Sequence, residues 1–190
     1  MKKLSFVTAS LLASAATCAS ADETIRTRLT GYQEVPSVST VAEGRLEVKI
    51  HRDGEAFDWV LSYSGLQGNV QQAHIHFAQK SVNGAIVVWL CGTVNPANPA
   101  LAGPPGTPTC PQSGTVSGTA MNGNVGPGAA TQQLTAGEAT AIEEVIAAMR
   151  AGVAYANVHT DLSPGGEIRG QIGKRGGGRH HDQGRGHKSH

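Results

Sequence analysis

Residues 44–64, GRLEVKIHRDGEAFDWVLSYS, decide the fold class of this chain. Apolar and polar residues alternate over residues 45–50 and again over 57–64, which is the period-two pattern of a β-strand with one buried face. The intervening residues 51–55 include an Asp-Gly pair, which is typical of hairpin turns. The stretch therefore predicts an antiparallel hairpin. It also places His51 in the turn, as a solvated residue rather than a metal ligand.

Short apolar runs separated by turn residues continue along the chain and predict an all-β domain with one short helix. The further runs lie at residues 25–29, 73–78, 85–90, 115–121, 153–159 and 167–172. The helix is predicted from a capping box formed by Thr135 and Glu138, and Gly152 ends it in a left-handed conformation. Its apolar stripe consists of Ile142, Val145, Ile146 and Met149.

The N-terminal residues predict export. Lys2 and Lys3 precede an apolar run over residues 4–16, and Ala19-Ser20-Ala21 matches a signal-peptide cleavage site. We therefore expect a signal peptide at residues 1–21 and a periplasmic or secreted mature protein. No stretch is long and apolar enough to be a transmembrane segment.

Charge divides the rest of the chain into one domain and a tail. Residues 22–173 carry eight basic and thirteen acidic side chains, whereas residues 174–190 carry five basic, one acidic and four histidine side chains. The tail has no aliphatic or aromatic residue, so we expect it to be disordered. It would bind metal loosely or contact anionic surfaces and protein partners. The acidic, aromatic-poor domain argues against specific nucleic-acid binding.

The mature chain has two cysteines, Cys91 and Cys110, and an even number in an exported protein favours a disulfide. The bridge would close the Pro- and Gly-rich residues 92–109. Such a loop cannot build a core of its own, so the disulfide is predicted to be structural.

Three histidines are the candidate functional residues. His74 and His76 would project from the same face of one strand, with Cα atoms roughly 7 Å apart. His159 lies near the end of another predicted strand. Three imidazole nitrogens that converged within about 4 Å around an exposed point would favour a metal site. The alternative is a set of structural histidines that bond to backbone or water.

Several stretches resemble the CHRD domain, a family named after chordin and common in exported bacterial proteins. They are LTGYQEVP at 29–36, AHIH at 73–76, VVWLC at 87–91, AYANVHT at 154–160 and GGEIRGQI at 165–172. The resemblance implies a secreted, immunoglobulin-like β-barrel whose function is largely undefined.

A second, fainter resemblance is to the copper-zinc superoxide dismutases. It is carried by LQG at 66–68 before His74 and His76, by Val158-His159, and by the glycines and strand at 165–172. It implies a Greek-key sandwich or barrel in which His74, His76 and His159 ligate copper. The chain has no counterpart of the bridging histidine or of the zinc-loop ligands of those enzymes. Arg169 is not assigned to their substrate-guiding arginine.

Two functions follow as hypotheses. The first is an exported CHRD protein that binds copper, or alternatively zinc, through His74, His76 and His159, in metal binding or superoxide-related chemistry. If the protein is an enzyme, it would be dismutase-like; a binding protein is the preferred interpretation, and no catalytic residue is assigned. The second is a non-enzymatic extracellular interaction module with structural histidines.

Overall fold

The computed structural model describes residues 22–173. The predicted signal peptide (1–21) and basic tail (174–190) lie outside the described residues, and both remain predictions. Among the described residues, no helix combines the length and apolar character needed to cross a membrane.

The domain contains eight strands and one α-helix, as the sequence predicts. The strands are β1 (Glu23–Thr30), β2 (Glu43–Ile50), β3 (Ala56–Ser64), β4 (Val70–Phe77), β5 (Ala85–Gly92), β6 (Gly114–Met121), β7 (Ala154–Thr160) and β8 (Ile168–Ile172). The helix is α1 (Ala141–Arg150), and short 3₁₀ turns occur at Gly31–Gln33, Pro99–Ala102, Asn122–Asn124 and Pro127–Gln132. Every predicted apolar run has become a strand.

The eight strands form one antiparallel sheet in the order β5-β4-β7-β8-β1-β2-β3-β6. The two outer strands, β5 and β6, come together through the residues that follow β6. Val88 and Val125 form an isolated antiparallel bridge, and the amide of Gly126 donates to the carbonyl of Val87 at 2.8 Å. The sheet is therefore nearly closed into a barrel, which confirms the predicted fold class.

Apolar and polar residues alternate along the strands, and the apolar side chains fill the interior of the barrel. Leu46, Val48 and Ile50 of β2 and Phe57 and Leu61 of β3 are each at most 1% exposed. Polar residues between them face outward, because successive side chains of a strand point to opposite faces. Burial of this apolar surface is the main favourable contribution to folding.

The helix is shorter at its start than the sequence predicts. It begins at Ala141 after Thr140, whose side chain makes no capping hydrogen bond, so the predicted Thr135–Glu138 capping box is wrong. The reason is Gly137, whose φ of +83° is incompatible with a right-handed helix at that point. At the other end Gly152 has a φ of +72°, which confirms the predicted left-handed end. The predicted apolar stripe of α1 packs into the core.

The Cys91–Cys110 disulfide is present, as predicted. Cys91 lies in β5, and Cys110 follows the Pro- and Gly-rich loop. Next to the bridge, the amide of Gly92 donates to the carbonyl of Pro108 and the amide of Cys110 donates to the carbonyl of Gly92, both at 2.9 Å. The loop is thereby attached to the end of a core strand.

Candidate metal centre

His74 and His76 lie on the outer face of the sheet. Ala73 and Ile75, the residues that alternate with them in β4, belong to the hydrophobic core. The two histidines therefore point away from the core, on one face, as the His-x-His spacing predicts. They are nevertheless only 1% and 6% exposed. The expected exposed site is thus wrong: loops cover this part of the outer face.

Strand β7 brings the third histidine to the same face. Val158 belongs to the core, so its neighbours Asn157 and His159 point outward. The antiparallel register of β4 and β7 sets Asn157 opposite His74 and His159 opposite Gln72. Because His159 lies two residues beyond Asn157, the cross-strand partner of His74, it is the diagonal neighbour of His74 on this face.

The three imidazoles form one compact cluster. One nitrogen from each ring lies within 4.8 Å of the other two, somewhat wider than the predicted 4 Å. His74 Nδ1 is 3.2 Å from His159 Nε2. Two nitrogens bound to one tetrahedral zinc at about 2.0–2.1 Å would be about 3.3 Å apart, so this pair already has a ligand-like separation. The geometry can hold a metal ion.

Backbone carbonyls fix the orientation of two of the rings. His76 Nδ1 bonds to the carbonyl oxygen of Gly84 and His159 Nδ1 bonds to that of Pro164, each at 2.9 Å. Since a carbonyl only accepts, both Nδ1 atoms carry the proton and both Nε2 atoms present a lone pair. Carbonyl bonds of this kind are the usual outer-shell support of metal-binding histidines.

Two of the cluster's nitrogens have no hydrogen-bond partner. Nε2 of His74 and Nε2 of His76 are both buried and unpaired. Buried polar atoms in native proteins are nearly always paired, so two such atoms in one cluster call for a specific explanation. A metal ion that binds His76 Nε2 together with His74 Nδ1 and His159 Nε2 would supply it for His76, and the proton of His74 would then lie on its Nε2.

Burial keeps the imidazoles in the neutral form that binds metal. Burial, together with the smaller effects of the neighbouring His159 and His76, lowers the pKa of His74 to about 2. Burial also lowers the pKa of His76 to about 4, against the opposing hydrogen bond to Gly84. The pKa of His159 is lowered by burial as well. At neutral pH, therefore, no proton has to leave before a metal ion binds.

A column of stacked groups covers His76. The ring of Tyr155 stacks on the ring of His76, with the two centroids 4.7 Å apart. The guanidinium carbon of Arg169 lies in turn 3.4 Å from the centroid of the Tyr155 ring. Arg169 is 1% exposed, and its nitrogens donate to Asn83 Oδ1 and the carbonyl of Val82. Such a buried, bonded arginine acts as part of the loop packing. On the other side, the ring of Trp89 stands perpendicular to that of His74, with centroids 4.2 Å apart.

The histidine cluster has acidic and amide neighbours that the sequence analysis missed. Glu34 is 5% exposed, and burial raises its pKa to about 7, although Arg169 and Asn157 act in the opposite direction. Asn157 Oδ1 lies 2.9 Å from His159 Nε2. The period-two alternation of β7 could have predicted that Asn157 and Tyr155 lie on the same outer face as His159. No sequence pattern indicates Glu34, because it reaches the site from a separate loop.

Glu167 anchors the loop that follows His159. Its Oε1 accepts from Thr40 Oγ1 and the amide of Gln67, and its Oε2 accepts from Thr160 Oγ1, at 2.8, 2.8 and 2.9 Å respectively. Although burial raises the pKa of Glu167, these donors and the amide of Gly68 together hold it below its usual value. The carboxylate thus connects both ends of the β7–β8 loop to the rest of the domain.

His51 is separate from the cluster, as the sequence predicts. It is partly exposed beside the hairpin turn, where its Nε2 lies 3.1 Å from Asp58 Oδ2. The described residues contain one group of three or more potential metal-binding side chains, and it consists of His74, His76 and His159.

The fold and the site define an all-β, disulfide-bonded barrel with a buried trio of histidines on its outer face. The chain belongs to the CHRD domain family, whose profile matches residues 25–172. CHRD domains are typically extracellular. Neither the curated proteins nor the solved structures show a significant match to the chain. The likeness to copper-zinc superoxide dismutases gains no support from these comparisons and stays a prediction.

Proposed function

We propose that this CHRD-domain protein is exported and binds one copper ion through His74, His76 and His159, with zinc as the alternative metal. The observation that carries the proposal is the buried, unpaired Nε2 of His76, which lies in one cluster with the closely spaced His74 Nδ1 and His159 Nε2. Neutral imidazole is a good ligand for both copper and zinc, and histidines alone do not select between them. The predicted signal peptide and the typically extracellular location of CHRD domains support export.

The surroundings of the site favour metal holding over catalysis. All three histidines are at most 7% exposed, so a substrate has little access to an ion between them. A bound copper ion would supply one-electron redox chemistry, including superoxide-related chemistry. The residues of this chain orient the ligands through Gly84 and Pro164 and exclude water from them. Binding or buffering of copper is therefore the function that the geometry supports best.

The competing function is an extracellular interaction module in which the histidines are structural. The bonds from His76 to Gly84 and from His159 to Pro164 favour it, because each ring attaches a covering loop to the barrel. The basic tail would then contact anionic surfaces or protein partners. Under this hypothesis metal would add nothing to stability, and the rings of His76 and His159 would be replaceable by groups that keep the carbonyl bonds.

Metal analysis of untagged protein tests the proposal. The mature chain and a shortened chain ending at Gly173 should both retain close to one copper or zinc ion, which assigns the ion to the domain and not to the tail histidines. Replacement of His74, His76 or His159 by Ala should weaken Cu(II) binding at least tenfold, because water is a poor substitute for a lost ligand. His51→Ala is the matched control and should bind as the parent does.

Changes in tryptophan fluorescence on addition of Cu(II) provide a convenient signal, since Trp89 lies against His74. Unchanged stoichiometry and affinity in both His74→Ala and His159→Ala would overturn the metal proposal in favour of the interaction module. If binding depends on the histidines but superoxide consumption does not exceed that of free copper, the protein is a copper carrier or buffer.

A further inference from the structure

Asn157 occupies a central position beside the histidine cluster. It is 2% exposed and lies in β7 between Tyr155 and His159 on the outer face. Strand register sets it opposite His74 of β4 on one side and Arg169 of β8 on the other. Its amide thus lies within the polar layer between the sheet and the covering loops.

The surroundings of Asn157 determine which way its amide points. Its Nδ2 donates to the carbonyl of Gly165 at 3.4 Å, and its side chain interacts with the Glu34 carboxyl. A Cβ atom at Gly166 would collide with Glu34 Oε1 and come 2.7 Å from Asn157 Nδ2. The side chains of Glu34 and Asn157 therefore both occupy the space beside Gly166 that a larger residue would fill. Carbonyl and carboxylate oxygens accept hydrogen bonds, and they therefore require the NH₂ group on their side. The amide oxygen must face the histidines.

This orientation places two acceptors against each other. Oδ1 of Asn157 lies 2.9 Å from Nε2 of His159. The proton of neutral His159 is on Nδ1, where the carbonyl of Pro164 accepts it, so Nε2 presents a lone pair to an oxygen that also carries lone pairs. In the metal-free protein His74 Nδ1 can donate to His159 Nε2. Asn157 also lies beside His76, but the proton of that neutral ring is on Nδ1 toward the carbonyl of Gly84, so His76 presents a second lone pair and not a donor. A cation shared by both atoms would turn this unfavourable contact into a favourable one.

We propose that Asn157 Oδ1 is a fourth ligand of the metal ion, and this inference rests on the proposed function of His74, His76 and His159. The ligand set becomes three imidazole nitrogens and one amide oxygen. Glu34 acts as a positioning residue, because its carboxyl lies beside the NH₂ group of Asn157 and polarises the amide toward a more negative Oδ1.

A fourth protein ligand changes what the site can do. Four-coordinate zinc sites without a free position are structural, whereas catalytic sites keep one position for water or substrate. An amide oxygen is a harder ligand than imidazole and favours Cu(II) and Zn(II) over Cu(I). The site therefore suits stable holding of a divalent ion and excludes small molecules from direct contact with it.

Four variants of the mature chain, each loaded with Cu(II), test the assignment. They are Asn157→Ala, Asn157→Asp, His159→Ala and the matched control Asn98→Ala, which changes an exposed asparagine of the disulfide loop. Affinity is measured by competition with a chelator that also removes copper from the tail. Water-proton relaxivity of the Cu(II) protein reports whether water reaches the ion, and its electron paramagnetic resonance spectrum reports the ligand atoms.

We expect Asn157→Ala to lose about tenfold in Cu(II) affinity and to gain relaxivity, because water replaces the amide oxygen. Asn157→Asp should keep the low relaxivity and lower g∥, since a charged oxygen replaces a neutral one. Its second oxygen faces Gly165 and Glu34 in place of the NH₂ group, and this repulsion offsets the gain in Cu(II) affinity. Asn98→Ala should match the parent. Parent-like affinity and relaxivity in Asn157→Ala, with binding lost in His159→Ala, would refute the fourth ligand and leave the three-histidine site standing. Should Asn157→Ala not fold, a parent-like spectrum of Asn157→Asp refutes it equally. Retained binding in His159→Ala would refute the proposed function itself.

Discussion

His74 Nδ1 lies 3.2 Å from His159 Nε2, although 85 residues separate the two histidines in the chain. Strands β4 and β7 are direct neighbours in the sheet, and their antiparallel register creates the contact. With His76, the pair forms a cluster that is neutral, buried and only partly hydrogen-bonded. These properties make the free energy of unfolding sensitive to pH and to metal.

The metal-free protein should lose stability as pH falls below about 6.5. Burial lowers the pKa of His76 to about 4 in the folded state, whereas the unfolded chain has the ordinary value of 6.5. Between these values the unfolded state binds a proton that the folded state does not, so stability present above pH 6.5 decreases toward pH 4. The slope is about 1.4 kcal/mol per pH unit for one such histidine. Urea denaturation with chelator at several pH values measures it.

The comparison protein for this experiment is His76→Gln, which keeps a donor for Gly84 but cannot titrate. Its free energy of unfolding should fall less steeply between pH 6.5 and 4. His51→Ala, outside the cluster, should follow the parent curve. Parallel curves for the parent and His76→Gln would contradict the prediction.

Glu34 should have the opposite pH effect. Burial raises the pKa of its carboxyl from 4.5 to about 7, so its stabilising contribution is fully present below pH 4.5 and is lost as pH rises through 7. Glu34→Gln should therefore be more stable than the parent at pH 8, by roughly 3 kcal/mol, and close to it at pH 4.5. Thermal unfolding of the metal-free proteins at both pH values tests this, with exposed Glu43→Gln as the control. An equal difference at the two pH values would show that the carboxyl does not titrate as described.

Glu167→Ala should be strongly destabilising, because it leaves the partly buried amide of Gln67 and the buried amide of Gly68 without an acceptor. We expect a loss of about 2–4 kcal/mol in urea denaturation. Copper affinity should fall as well, since Thr160, the residue after His159, loses its partner. The matched control is Glu47→Ala, which removes the exposed ion pair with Arg26 and should cost at most about 1 kcal/mol. Similar losses in the two variants would contradict the anchoring role.

The mature protein should contain no free thiol, because Cys91 and Cys110 are bonded to each other. Thiol titration of denatured, freshly exported protein measures this, and two reactive thiols would contradict it. The double variant Cys91→Ser/Cys110→Ser should lose roughly 3 kcal/mol of stability and keep its β-sheet circular dichroism. The barrel strands lie outside the closed loop, so the fold does not depend on the bridge.

Much of the fold was predictable from local patterns. Residues 44–64 carry their own period-two alternation, and each predicted run became a strand. The start of α1 could not be predicted in this way, because the left-handed backbone conformation of Gly137 prevents the helix from starting at the apparent capping box of Thr135 and Glu138. The prediction used side-chain spacing and could not include the conformation of the intervening glycine.

The sequence by itself determined the all-β class, the disulfide and the shared face of His74 and His76, because each follows from local alternation or from a count. Only the tertiary structure decided that β7 lies beside β4, that loops bury the histidines, and that Glu34 and Asn157 join them. Strand order and loop closure depend on contacts between residues far apart in the chain. Such contacts leave no periodic trace in the sequence, so burial, pKa shifts and the oxygen neighbour of the histidines emerge with the folded barrel.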